Sequence, residues 1–122
     1  MATGKTILVV DDDPCARYLL QFILAKTGCA ILTAVNGAEA VNFATDWSID
    51  LLVTDIMMKG MDGFELVRTL RRMPVYSGLP IIMLSARSQL QPDALDLDNT
   101  IMLTKPFSPI ELTSTINFLL KL

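Results

Sequence analysis

"LLVTDIMMKGMDGFEL", residues 51–66, sets the plan of the whole chain. Its first four residues are apolar or β-branched on consecutive positions, which suits a strand covered on both faces. The run ends on a lone carboxylate, Asp55, and passes through a glycine-punctuated loop to Asp62. After Asp62, the residues Phe64, Val67, Leu70 and Met73 fall on one helical face. A strand, a loop and a helix thus occupy little more than twenty residues, and the question is whether the pattern recurs.

It does. "TILVV" (6–10), "AILTA" (30–34), "DLLVT" (50–54), "PIIMLS" (80–85) and "TIMLT" (100–104) are short strand-like runs. Between the first two, Ala16, Leu19, Leu20, Ile23 and Leu24 repeat at helical spacing. Asp13 stands there as N-cap, Pro14 takes the first helical position and Gly28 closes the end. Asn36 with Glu39 predicts a second helix start, and Ser108, Pro109 and Glu111 form a capping box opening a last helix through Leu120. Strict alternation of strand and helix implies an α/β fold with a parallel sheet and right-handed crossovers. Residues 86–99, "ARSQLQPDALDLDN", carry an interior Pro92 and little apolar material beyond Leu90, Ala94, Leu95 and Leu97. They predict a short or broken helix.

With 122 residues, 52% of them hydrophobic and 19% charged, the chain has the size and apolar content of one domain with one core. No window approaches the roughly 18 apolar residues of a membrane span, and no cleavable export signal opens the chain, so a cytoplasmic location is expected. A net charge of −3 with scattered Lys and Arg argues against direct nucleic-acid binding. Cys15 and Cys29 form no CxxC pattern and are expected to be reduced packing residues. The chain has no histidine, which excludes Ser-His-Asp and Cys-His catalysis. A metal here should therefore be a hard ion held by oxygen.

At the C-terminal ends of the proposed strands stand Asp11, Asp12 and Asp13, then Asp55, Ser85, and Thr104 with Lys105. In an open parallel sheet these ends converge on the ligand crevice. Clustered carboxylates raise one another's pKa unless a cation intervenes, which predicts a divalent ion, Mg²⁺ or Mn²⁺. A carboxylate beside such an ion, with a lysine and a hydroxyl, has the parts needed to accept a phosphoryl group: Asp55 as nucleophile, Lys105 offsetting charge, Ser85 bonding a phosphoryl oxygen.

The stretches "ILVVDDDP" (7–14), "DIMMKGMDGFEL" (55–66), "IIMLSA" (81–86) and "LTKPF" (103–107) together resemble the receiver domain of two-component response regulators, and the resemblance runs over essentially the whole chain. It implies a flavodoxin-like (βα)5 three-layer sandwich with strand order 2-1-3-4-5, residues 1–122 forming a single receiver domain with no output domain in this chain. It further implies phosphorylation of Asp55 by a histidine kinase or a histidine phosphotransfer protein, assisted by Ser85 and Lys105. Asp12 would ligate the ion directly, Asp11 largely through water, and Asp55 and the Met57 carbonyl would complete the protein ligands. The Lys105–Pro106 peptide is expected to be cis. Such a domain is a signalling phosphoacceptor that catalyses only its own phosphoryl transfer and slow autodephosphorylation, switches binding of a downstream protein, and is a monomer or weak dimer. Two positions depart from the family pattern: Lys59 replaces a usual proline, and Met102 replaces a usual aromatic.

Plainer roles remain for neighbouring residues. Asp13 is expected to cap a helix and not to bind metal, Asp62 and Gly63 to cap and turn, and Met57, Met58 and Met61 to fill loop and core. Two alternative functions compete: a receiver-like binding module that is not phosphorylated, and a Mg²⁺-dependent phosphohydrolase resembling the haloacid dehalogenase group. The second would use Asp11 as nucleophile and Asp13 as acid/base, but the acidic motif expected after the lysine is absent.

Overall fold

The computed structural model describes residues 2–86 and 99–122. Five strands, β1 (Thr6–Val10), β2 (Ala30–Ala34), β3 (Leu51–Asp55), β4 (Ile81–Ser85) and β5 (Thr100–Thr104), pair in parallel in the order β2-β1-β3-β4-β5. Four helices are described: α1 (Pro14–Ala25), α2 (Gly37–Asp46), α3 (Gly63–Arg71) and α4 (Pro109–Leu120), with a short 3₁₀ turn at Pro74–Tyr76. None of the described helices is long and apolar enough to cross a membrane. The expected short helix within 86–99 falls almost wholly outside the described residues.

Side-chain alternation along β1 builds the three layers. Leu8 and Val10 pack with Ala40 and Ala44 of α2 and with Leu66, Val67 and Leu70 of α3. Ile7 and Val9 face the other way, into Leu20, Ile23 and Leu24 of α1 and Leu112 and Ile116 of α4. The sheet therefore buries both faces, as the unbroken apolar runs require. Because β1 pairs with β2 on one side and β3 on the other, the chain changes direction across the sheet at the ends of β1 and β3, and a crevice opens there.

Capping follows the sequence at all four helix starts. Asp13, Asn36, Asp62 and Ser108 accept backbone N–H groups from Cys15, Glu39, Glu65 and Glu111 at 3.0, 2.8, 2.9 and 3.3 Å. Some boundaries and exposures differ from expectation. Met73 lies beyond α3 in an extended conformation, because a residue preceding proline is pushed out of the helical region. Gly28 closes the turn after α1 with φ +81° but stands three residues past its last helical residue. Leu19 is exposed although it shares the helical repeat of Leu20 and Ile23. Of the two cysteines only Cys29 is buried; Cys15, on the first turn of α1, faces solvent. Met58 and Met61 pack against the core, whereas Met57 is exposed on the loop.

At the sheet end opposite the crevice, Tyr76 locks the connection from α2 to β3. Its buried hydroxyl accepts the Ile49 N–H at 3.3 Å and shares its proton between the Ala44 and Trp47 carbonyls at 2.6 and 2.9 Å. Tyr76→Phe leaves a buried N–H and carbonyl without that partner, and urea unfolding should show a loss of about 1–3 kcal/mol.

Candidate functional site

Asp11 is the first residue after β1, and its backbone N–H still bonds to Ala34 at 3.2 Å, so it leaves the sheet in line with the strand. Its side chain is buried. Oδ1 accepts the Asp13 N–H at 2.9 Å, Oδ2 faces Lys105 Nζ at 3.4 Å, and its carbonyl accepts the Arg17 guanidinium at 2.7 Å. Asp12, one residue on, is exposed, and its Oδ2 accepts the Lys59 N–H at 3.3 Å.

Asp55 is the last residue of β3, paired in register with Leu84, so the strand carries the carboxylate itself to the crevice. Oδ1 accepts the Ile56 N–H at 2.9 Å, and Oδ2 lies 3.4 Å from Lys105 Nζ. One ammonium thus serves two carboxylates. Burial pushes the Asp55 carboxyl above its ordinary range, the nearby Lys105 charge pulls it back, and the Asp11 charge adds to the rise. Ser85 ends β4 with its side chain almost wholly buried, and its carbonyl accepts the Lys105 N–H at 2.6 Å. This bond carries the chain into a cis Lys105–Pro106 peptide. Thr104, paired with Ser85, is exposed.

One oxygen each of Asp11, Asp12 and Asp55 lie within 4.8 Å of one another. That is close to what a small divalent cation spans, about 4 Å between opposite oxygens of an octahedral shell. Three carboxylates against one lysine leave two negative charges uncompensated within the set, which suits a hard divalent ion. Met57 lies on the same loop, two residues after Asp55. Asp13 holds to its expected role as a cap: its Oδ1 accepts the Cys15 N–H in the first turn of α1.

Two supporting residues were invisible to the sequence pattern. Arg17 ties α1 to the Asp11 carbonyl across six residues, a contact with no sequence signature. Gly63 was expected only to cap and turn, yet a Cβ there would meet the Asp55 carbonyl oxygen at 2.5 Å and Ile56 Cα at 2.8 Å, and its N–H bonds the Ile56 carbonyl at 2.8 Å. The missing side chain lets α3 press against the backbone that carries Asp55.

A raised carboxyl binds its proton more tightly in the folded state, so ionising Asp55 costs stability as the pH rises from the ordinary aspartate value of about 3.9 through the raised one. In metal-free buffer at pH 7, Asp55→Asn should melt above the parent. The difference should shrink as the pH falls below the ordinary aspartate range, measured by calorimetry across pH.

The sequence profile described as the response regulator receiver domain matches residues 7–117. A 14.6 kDa protein from the sodA1 3′ region of Leptolyngbya boryana is 43% identical over 108 residues, covering 87% of this chain and 82% of that protein. The alkaline phosphatase synthesis regulatory protein PhoP of Bacillus subtilis is 36% identical over 120 residues, covering 97% of this chain and 49% of that protein. The chain thus spans about half the length of several curated regulators it matches. Among solved structures, the response regulator TrrA of Thermotoga maritima in complex with Mg²⁺–BeF superposes with a TM-score of 0.85 at 35% identity, covering 94% of this chain and 98% of that one. A profile match over nearly the whole chain, the strand order, and an acidic crevice facing one lysine agree: the chain belongs to the response regulator receiver domains, the phosphoacceptor signalling domains of two-component systems.

Proposed function

We propose that Asp55 is the phosphoacceptor and that Asp11, Asp12, Asp55 and the Met57 carbonyl hold a Mg²⁺ or Mn²⁺ ion. The observation that carries this is the meeting of three carboxylate oxygens within 4.8 Å beside an ammonium 3.4 Å from two of them. When bound, the ion neutralises the carboxylates and the phosphoryl oxygens. A carboxylate oxygen of Asp55 attacks the phosphorus of a phosphohistidine. The O–P bond forms, the P–N bond breaks, and the leaving imidazole nitrogen keeps the electron pair and takes a proton from solvent. Lys105 supplies positive charge to the transferring group, and the Ser85 hydroxyl donates to a phosphoryl oxygen of the product.

Receiver domains are phosphorylated by histidine kinases, and the donor here is such a kinase or a histidine phosphotransfer protein. An apolar groove of about 600 Å³ offers that donor a surface beside the acceptor. It is lined by Ala16, Leu19, Leu20, Ile23 and Phe107 and opens next to Asp11 and Lys105. The domain works in the cytoplasm as a monomer or weak dimer, contacts no nucleic acid itself, and turns over no separate substrate. Its chemistry ends with slow loss of its own phosphoryl group. Added charge beside Ser85 and Lys105 biases the β4–β5 region between two arrangements and so alters binding of a downstream protein. Met102, half-buried against the core on β5, stands where the family usually has an aromatic, so the response does not run through the usual aromatic rotamer change.

Incubation with acetyl phosphate and Mg²⁺, followed by intact mass measurement, should give one phosphoryl adduct. The adduct should disappear with chelator and in Asp55→Asn. An adduct that persists in Asp55→Asn would place the acceptor elsewhere.

A further inference from the structure

The resemblance puts proline at position 59, and proline has no backbone N–H to give. Here Lys59 has one, and it donates to Asp12 Oδ2 across 47 residues of sequence at 3.3 Å. We infer that this backbone N–H makes Lys59 a positioning residue for cation binding: it clips the Asp12 carboxylate to the β3–α3 loop that also carries Met57. The inference rests on the assignment of Asp12 and Met57 as ligands made above.

The geometry favours this role for four reasons. Asp12 is exposed, so without a partner its carboxylate would sample several rotamers and lose that freedom when it binds an ion. The bond occupies Oδ2 and leaves Oδ1 available. Gly60, next in the chain, has φ +75° with open space around it, so a backbone turn that favours glycine follows Lys59 directly. The other two carboxylates are held in the same manner, Asp11 by the Asp13 N–H and Asp55 by the Ile56 N–H. Lys59 completes the set for the one carboxylate of the three that is exposed.

The test removes the N–H in two unrelated ways. In one variant the Lys59 amide becomes an ester, by incorporation of the α-hydroxy analogue of lysine; in the other Lys59→Pro is made. Lys59→Ala retains the N–H. Titration with MgCl₂, followed by amide resonances of the site, should show both N–H-deficient proteins binding about tenfold more weakly, the low end for groups that orient a metal ligand. Lys59→Ala should lie nearer the parent, and the ester should melt with the parent in metal-free buffer. Parent-like affinity in the ester overturns the proposal and leaves the Asp55 assignment standing. A fall in metal-free stability that matches the loss of affinity assigns the bond to folding and overturns it as well. A parent protein that binds no Mg²⁺ overturns this proposal together with the metal site it rests on.

Discussion

The gathering of Asp11, Asp12 and Asp55 at one end of the sheet is the constraint around which the rest of the domain is arranged. Three carboxylates with oxygens within 4.8 Å of one another would relax apart if their backbones allowed it. They cannot, because two of them sit at the ends of central, fully paired strands, β1 and β3, whose registers are set by apolar residues buried on both faces. The hydrophobic layers hold the charges together, and Lys105, carried by β5 and its turn, offsets part of the cost. An acidic crevice is thus held in place by an apolar frame, which is the setting the proposed cation would require.

Each carboxylate is also fixed by a main-chain N–H close to it in space: Asp13 for Asp11, Ile56 for Asp55, Lys59 for Asp12. Backbone donors add partial positive charge without adding a side chain, so the crevice stays open to a ligand while the acids keep their orientation. Gly63 contributes by absence. Its missing Cβ lets α3 approach the Asp55 backbone, and Gly37 plays the same part beneath Met61, where a Cβ would meet the sulfur at 2.6 Å. Packing and electrostatics are coupled at these contacts, since the atoms that α3 presses on are those that aim the Asp55 carboxylate.

Much of this was legible in the sequence because the signals are local. Short apolar runs rich in β-branched residues suit strands covered on both faces, as β1, β3 and β4 are, and four cap residues stand where they satisfy helix N–H groups. Asp11, Asp12, Asp55, Ser85 and Lys105 could be singled out because the ends of parallel strands converge by topology. Errors came where a local rule meets another force: Met73 yields to Pro74, and Cys15 and Leu19 face solvent because a helix on the sheet buries one stripe only.

By itself, then, the sequence determined the fold class, the strand ends and the chemical character of the site, since each depends on residue type at short spacing. Tertiary structure alone decided the clip from Lys59 to Asp12, the tether from Arg17 to the Asp11 carbonyl, the close approach of Gly63, and the rise in the Asp55 carboxyl. These depend on which backbone atoms meet after folding, and on how much water is excluded where they meet. A backbone N–H is the same group in nearly every residue, so apart from the lysine that stands for a usual proline at position 59, no residue pattern marks the ones that matter.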